Sequence, residues 1–190
     1  GEIIYNGTRA TDGKGGGIYN EGILIFSDTG GKTKKIYRNS AVKGGAVYEG
    51  GSSAQLKMGT SGNNREVEIE WNDTGLSSYN NIYLDTKSGE DPCRITLTTT
   101  MSNMTSLRID TAISTFTGKQ IIEASGSANL ADSVKYFKPI QPNPLPDLPY
   151  LINTDGKIAQ LTGRANINAA AVGDIILDNG SIIPYSDDLD

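Results

Sequence analysis

One phrase recurs in this chain at a fixed interval, and that recurrence limits its possible folds more than any other feature. Its first half reads Ile-x-x-Asn-x-(Thr/Ala): Ile3, Asn6 and Thr8, then Ile36, Asn39 and Ala41, then Ile69, Asn72 and Thr74. The offset is 33 residues both times. The second half, Gly-Gly-x-(Ile/Val)-Tyr, runs from Gly15 to Tyr19 and from Gly44 to Tyr48, and degrades to Asn-Asn-Ile-Tyr between Asn80 and Tyr83. The gap between the halves varies in length, as it does where a surface loop takes up insertions. Short alternating segments lie between the phrases, with Leu24 and Phe26, Leu56 and Met58, and Val67 and Ile69 in phase. Alternation with period two marks strands. Gly, Asn, Asp and Ser punctuate the breaks, and no helical period emerges before Glu123.

A unit this short cannot bury its own apolar face, so copies must stack at the strand spacing of about 4.8 Å. Stacking predicts two inward columns, Ile3 with Ile36 and Ile69, and Ile18 with Val47 and Ile82. It predicts a structural ladder of Asn6, Asn39 and Asn72 at a turn, where Asn tolerates left-handed backbone and side-chain amides bond from copy to copy. The paired glycines would permit the tight backbone of a corner. Tyr19, Tyr48 and Tyr83 each follow the inward column by one residue, so they should point outward and stack. The expected fold is all-β, a parallel β-helix solenoid. A propeller is the rival, but its blades are longer and their signature is missing here.

The segments "NSAVKGGAVYEGG" and "GKGGGIYNEG" resemble the Asn-x-Ala…Gly-Gly-(Gly/Ala)-(Ile/Val)-Tyr repeats of bacterial surface β-helix proteins. They are also similar to the Gly-Gly-Ala-(Ile/Val) repeats of chlamydial polymorphic outer-membrane proteins. The Phe-x-x-Asn partner motif of that family is Ile-x-x-Asn here, which favours the broader grouping. The resemblance covers roughly residues 1–86. It implies a right-handed parallel β-helix, three repeats long, on the cell surface or secreted. "NNIYL" is similar to the Asn-x-(Val/Ile)-Tyr-Leu strand that leads into the closing coils of those proteins.

Residues 87–162 are expected to supply closing coils and a cap, because an open stack end exposes backbone edges. Asn129 should cap a short helix to about Tyr136, with Leu130 and Val134 on one face. Asp155-Gly156 should turn a hairpin. The five prolines from Pro139 to Pro149 suggest an extended loop crossing that end. Residues 163–190 read as a linker and the start of a truncated further module, with a second hairpin at Asn179-Gly180. The Gly1 start and the abrupt "SDDLD" end suggest a piece of something longer, so missing targeting signals carry no weight.

The net charge of −5 argues against nucleic acid, which needs a basic stripe. There is no His, the commonest general base and transition-metal ligand. Cys93 is the single cysteine, so no intrachain disulfide forms, and a small strand side chain is the expected role. No apolar run approaches the roughly 20 residues of a membrane span.

Each tempting motif has a plainer reading. Gly31-Lys32-Thr33 ends like a phosphate loop, but the required first glycine is replaced by Phe26, and a turn fits better. "GKGGGIYNEG" has neither the strand-to-helix context of a dinucleotide fingerprint nor the aspartate of a calcium repeat. Asp187, Asp188 and Asp190 read as a solvated tail rather than a calcium site. Glu66, Glu68 and Glu70 beside Arg65 share one outward face, as on any solvated strand. No catalytic, cofactor-binding or metal-binding residue is therefore expected. Tyr19, Tyr48 and Tyr83 are the candidate glycan-stacking face, with a structural ladder the weightier reading. Trp71 reads as core, or as a partly exposed ring.

The expected function is a non-enzymatic, surface-exposed segment of a larger bacterial protein, adhesin-like or stalk-like. Its partners would be glycans or host and matrix proteins, without nucleic acid or direct membrane insertion. Oligomeric state stays open. The alternatives are a fragment of a polysaccharide lyase or hydrolase, and a purely structural spacer.

Overall fold

The alternating segments fold as strands, and each pairs in parallel with its counterpart one repeat away. The computed structural model describes residues 2–8, 12–26, 34–59, 67–70, 72, 81–89, 91–101, 107–112, 115–141, 149–160, 175–176 and 182–183. The first repeat contributes β1 (Glu2–Ile4), β2 (Ile18–Asn20) and β3 (Ile23–Phe26). The second contributes β4 (Lys34–Tyr37), β5 (Val47–Glu49) and β6 (Gln55–Met58). The third contributes β7 (Val67–Glu70) and β8 (Ile82–Leu84). It then makes an antiparallel excursion, β9 (Thr86–Ser88) with β10 (Asp91–Pro92), before β11 (Ile95–Leu97). β12 (Leu107–Thr111) and β13 (Ile122–Ala124) follow, then helix α1 (Leu130–Ser133) and β14 (Phe137–Pro139).

Three parallel sheets result: β1-β4-β7, β2-β5-β8-β12-β14 and β3-β6-β11-β13. The architecture is all-β, with one short helix among the described residues. The recurring phrase is lost after Leu84, but the parallel pairing continues through β14.

Register turns the sequence repeat into packing. Ile3, Ile36 and Ile69 are Cα partners, as are Ile18, Val47, Ile82 and Ile109. A third column runs Leu24, Leu56, Ile95 and Ile122, and a fourth Phe26, Met58, Leu97 and Ala124. Within these columns Ile36, Val47, Leu56, Ile69, Ile82, Ile95 and Ile122 are buried. Burying each such aliphatic side chain stabilises the fold by about 1.5–3 kcal/mol. In the first repeat Ile3, Ile18 and Leu24 are only partly buried. The exposed large apolar residues among those described, Tyr5, Tyr19, Ile23 and Ile25, all lie in that repeat.

The glycines of the phrase close the corners. Gly44 has φ 66°, and a Cβ there would lie 2.2 Å from the Val47 carbonyl oxygen. Gly15 repeats this geometry, with φ 65°. The following glycines extend the parallel ladder: the Gly16 and Gly17 N–H groups donate to Gly44 and Gly45 at 3.0 and 3.1 Å. At the other corner the left-handed residues are Tyr5 (φ 57°) and Arg38 (φ 55°), not the asparagines expected from the sequence. The chain turns one residue early, and the asparagine that follows is free to bond between repeats.

The far end is covered by locally specified pieces. Asn129 caps α1 by accepting from the Asp132 N–H, and a 3-10 turn at Val134–Tyr136 continues it. β15 (Tyr150–Ile152) and β16 (Ile158–Gln160) pair as an antiparallel hairpin around Asp155-Gly156. The Gly156 carbonyl accepts from the Ile121 and Ile122 N–H groups at 2.9 and 3.1 Å, docking the hairpin turn on the approach to β13. Gln141 closes the proline-rich excursion, its amide donating to the Tyr150 carbonyl at 2.8 Å and accepting from the Tyr150 N–H at 2.7 Å. Residues 142–148 of that excursion lie outside the described residues. β17 (Ile175–Ile176) pairs antiparallel with β18 (Ile182–Ile183), flanking Asn179-Gly180, which is itself outside them.

Candidate functional site: the ladders between repeats

The asparagines stand where the first corner ends, one repeat above the next. The Asn39 backbone N–H and side-chain amide both donate to Asn72 Oδ1, at 3.0 Å each. Asn6 does the same to Asn39 Oδ1, at 3.0 and 3.2 Å. Asn39 Nδ2 also reaches the Ile3 carbonyl at 2.9 Å, and Asn72 Nδ2 the Ile36 carbonyl at 2.8 Å. Asn39 and Asn72 are buried, and their polar atoms are engaged in joining repeats. That is a structural use of the amide, since a buried one left unbonded would cost about 1–3 kcal/mol.

The tyrosines form a second ladder. Tyr19, Tyr48 and Tyr83 are Cα partners on β2, β5 and β8. Their rings stack, with centroids 5.0 and 5.7 Å apart and planes within 5° and 6° of parallel. Lys14 places its Nζ 4.9 Å from the Tyr48 ring centroid, and Lys43 places its own 4.8 Å from that of Tyr83. The Tyr48 hydroxyl donates to Asp85, and the Tyr19 hydroxyl to Glu21 at 2.8 Å. Burial pushes the Tyr48 hydroxyl well above its ordinary pKa, and the bond to Asp85 adds to that. Burial also raises Asp85, but the hydrogen bonds from Tyr48 and the Thr86 N–H, with Lys43 and Lys14 nearby, bring it below the usual value. The result is a row of three rings with two cations, Lys14 and Lys43, and two carboxylates, Glu21 and Asp85, along a sheet face.

This geometry limits what the row can bind. A sugar ring stacks on an open aromatic face. In a repeat-to-repeat ladder the faces are turned toward each other, so only the ring at the end has a free one. Tyr48 is 2 % exposed and Tyr83 9 %, whereas Tyr19 is 50 % exposed. The structure thus brings the three tyrosines together but leaves a stacking surface at Tyr19 alone.

Behind the ladder lies a group that the sequence reading missed. Glu49 follows Val47 by two residues on the same inward side, and both are fully buried. Asn20, its Cα partner, donates Nδ2 to both carboxylate oxygens, at 3.1 and 2.9 Å. Burial pushes the Glu49 carboxyl up to about 7, the Asn20 bond only partly opposing it. Cys93 is also buried, its thiol 4.0 Å from the Gly51 carbonyl oxygen. Burial pushes that thiol up to about 11, with Glu49 and Asp85 adding to the effect, so it stays protonated and unreactive at neutral pH.

Several residues singled out in the sequence lie outside the described residues: Arg65, Glu66, Trp71, the turn from Asp28 to Thr33, and Asp187, Asp188 and Asp190. Glu68 and Glu70 belong to β7, on either side of the buried Ile69 in sequence. Among the described residues, no three His, Cys, Asp or Glu side chains gather as metal ligands would. No helix among them is long and apolar enough to cross a membrane. Compared with family models, curated proteins and solved structures, the chain matches none.

Proposed function

We propose that this chain is a non-enzymatic segment of a larger bacterial surface protein, built as a right-handed parallel β-helix that serves as a stalk with adhesin-like capacity. The observation that carries the reading is the in-register stacking of like residues on three parallel sheets. A fold held by contacts between neighbouring repeats extends along one axis, which suits a stalk. Strand crossovers between parallel strands are right-handed in the great majority of folds, which supports the hand. The resemblance to bacterial surface repeats supports the location. Burial of Tyr48 and Tyr83 favours a stiffening role for the tyrosine face over an open glycan platform.

The test is incubation of the full chain with a panel of bacterial and host polysaccharides, following new reducing ends and unsaturated uronates alongside retention on the same glycans. Retention without turnover, or neither, fits the stalk reading. Turnover of any polysaccharide would contradict it and move the chain to the lyase or hydrolase class. Replacing Tyr19 with Ser should leave retention unchanged.

A further inference from the structure

The third repeat departs from the first two by inserting β9 and β10 between β8 and β11. The insertion stands beside the outward face of the β3-β6-β11-β13 sheet, and a cleft of about 350 Å3 lies between them. That volume falls within the ~300–1,000 Å3 typical of small-ligand sites. Its polar lining comes from Gln55, Arg94, Thr96 and Glu123 on the sheet side and Lys87 and Asp91 on the insertion. Alternation accounts for the sheet side: Ile95 and Leu97 are fully buried, so Arg94 and Thr96 face out. Ala54 and Pro92 add apolar surface.

The charges in this cleft are unevenly satisfied. Glu123 accepts from Arg94 Nη1 at 3.2 Å and from the Thr96 hydroxyl at 2.8 Å. Asp91 accepts from Lys119 Nζ at 3.1 Å. Both carboxylates therefore already have cations. Among the described residues, the Lys87 ammonium has no hydrogen-bond or ion-pair partner. In the lining Lys87 and Arg94 equal Asp91 and Glu123 in number, but because Lys119 from outside it pairs with Asp91, Lys87 is left as the unmatched cation. Beside it, Gln55, Asp91 and Glu123 supply acceptors for hydroxyl groups.

We infer that this cleft binds a carboxylated sugar, with the sugar carboxylate on Lys87 and Arg94 and its hydroxyls on Gln55, Asp91 and Glu123. A phosphate group would want donors alone and would meet two carboxylates. A neutral sugar would leave Lys87 unmatched. Only a ligand with both an anionic group and several hydroxyls uses the whole set. The inference deepens the adhesin-like side of the proposed function by naming its ligand class and its place, away from the tyrosine ladder.

The test is calorimetric titration of the full chain with tetragalacturonate, sialyllactose and maltotetraose. The first two separate chain-internal uronates from terminal sialic acids, and the third is neutral. At least one acidic sugar should bind and maltotetraose should not. Lys87→Ala should weaken that binding about tenfold, as expected for loss of one charge-assisted hydrogen bond. Lys87→Arg should retain it. Lys157→Ala, which removes an exposed charge on the end hairpin, should change nothing, and circular dichroism would confirm that each variant folds. Absence of binding by both acidic sugars overturns the proposal, as does equal affinity for maltotetraose. An equal loss in Lys157→Ala would also overturn it, because it would mean unspecific attraction. A failed titration leaves the stalk reading standing, since that depends on fold and turnover rather than on this cleft.

Discussion

Glu49 gives the clearest consequence of a single residue. Its carboxyl titrates near 7 in the fold against 4.5 when free, because burial disfavours the charged form. The folded chain therefore holds this proton more tightly than the unfolded one. Its contribution to stability is full below about pH 4.5 and is lost as pH rises to about 7, by up to ~3 kcal/mol. Urea unfolding at pH 5 and pH 8 should show this loss, and Glu49→Gln should abolish most of it. An unchanged pH difference in the Gln variant would assign it to other groups. The position was legible in the sequence by alternation from Val47. The repeated phrase ends at Tyr48, however, and drew attention to what recurs rather than to a residue that differs in each copy: Asn20, Glu49 and Leu84 share that register position. The asparagine ladder was legible because it does recur. The left-handed backbone at Tyr5 and Arg38 was not, because neither residue type announces that conformation.

At the scale of elements, local signals were read well and non-local ones less so. Asn129 before Leu130, and Asp155-Gly156 between Tyr150–Ile152 and Ile158–Gln160, specify their own turns and need no partner elsewhere. The parallel columns were legible only as far as the phrase repeats. Ile109 and Pro139 prolong the column of Ile18, Val47 and Ile82, but nothing in their surroundings spells the motif. The β9-β10 excursion was invisible for a related reason. "TKS" and "DP" have no alternation, and Pro92 argues against a strand, so only tertiary placement makes them the wall of a cleft. The corner glycines invite a controlled test. Gly44 and Gly89 both have positive φ, but a Cβ at Gly89 meets nothing within 4 Å, whereas at Gly44 it meets backbone at 2.2 Å. Gly89→Ala should cost about 1–2 kcal/mol from its backbone conformation alone. Gly44→Ala should cost clearly more, because the overlap is with a carbonyl that cannot move without disturbing β5. Thermal unfolding of the two variants compares them directly, and equal losses would mean that the corner yields.

For the whole molecule, three parallel sheets share one register logic: β1-β4-β7 stacks three strands, and the sheets ending at β13 and β14 carry the other columns of core residues further. The tyrosine and asparagine ladders repeat that logic on the flanks, so stability is distributed along the stack rather than concentrated in one centre. The cleft inserted in the third repeat is the exception, and its irregularity is what makes it a place for a ligand. The most direct measurement of the central claim is an in-register crosslink. Ile25 and Lys57 are Cα partners on β3 and β6, and Ile25 is exposed. Parallel neighbours about 4.8 Å apart fall within the 4.4–6.8 Å span of a disulfide. Oxidation of an Ile25→Cys, Lys57→Cys double variant, read by peptide mass spectrometry, should give an intrachain disulfide in nearly every molecule, with the buried Cys93 left free. The offset pair Ile25→Cys, Gln55→Cys should crosslink poorly. Failure of the in-register pair, or equal crosslinking of the offset one, would contradict the stacking of repeat on repeat.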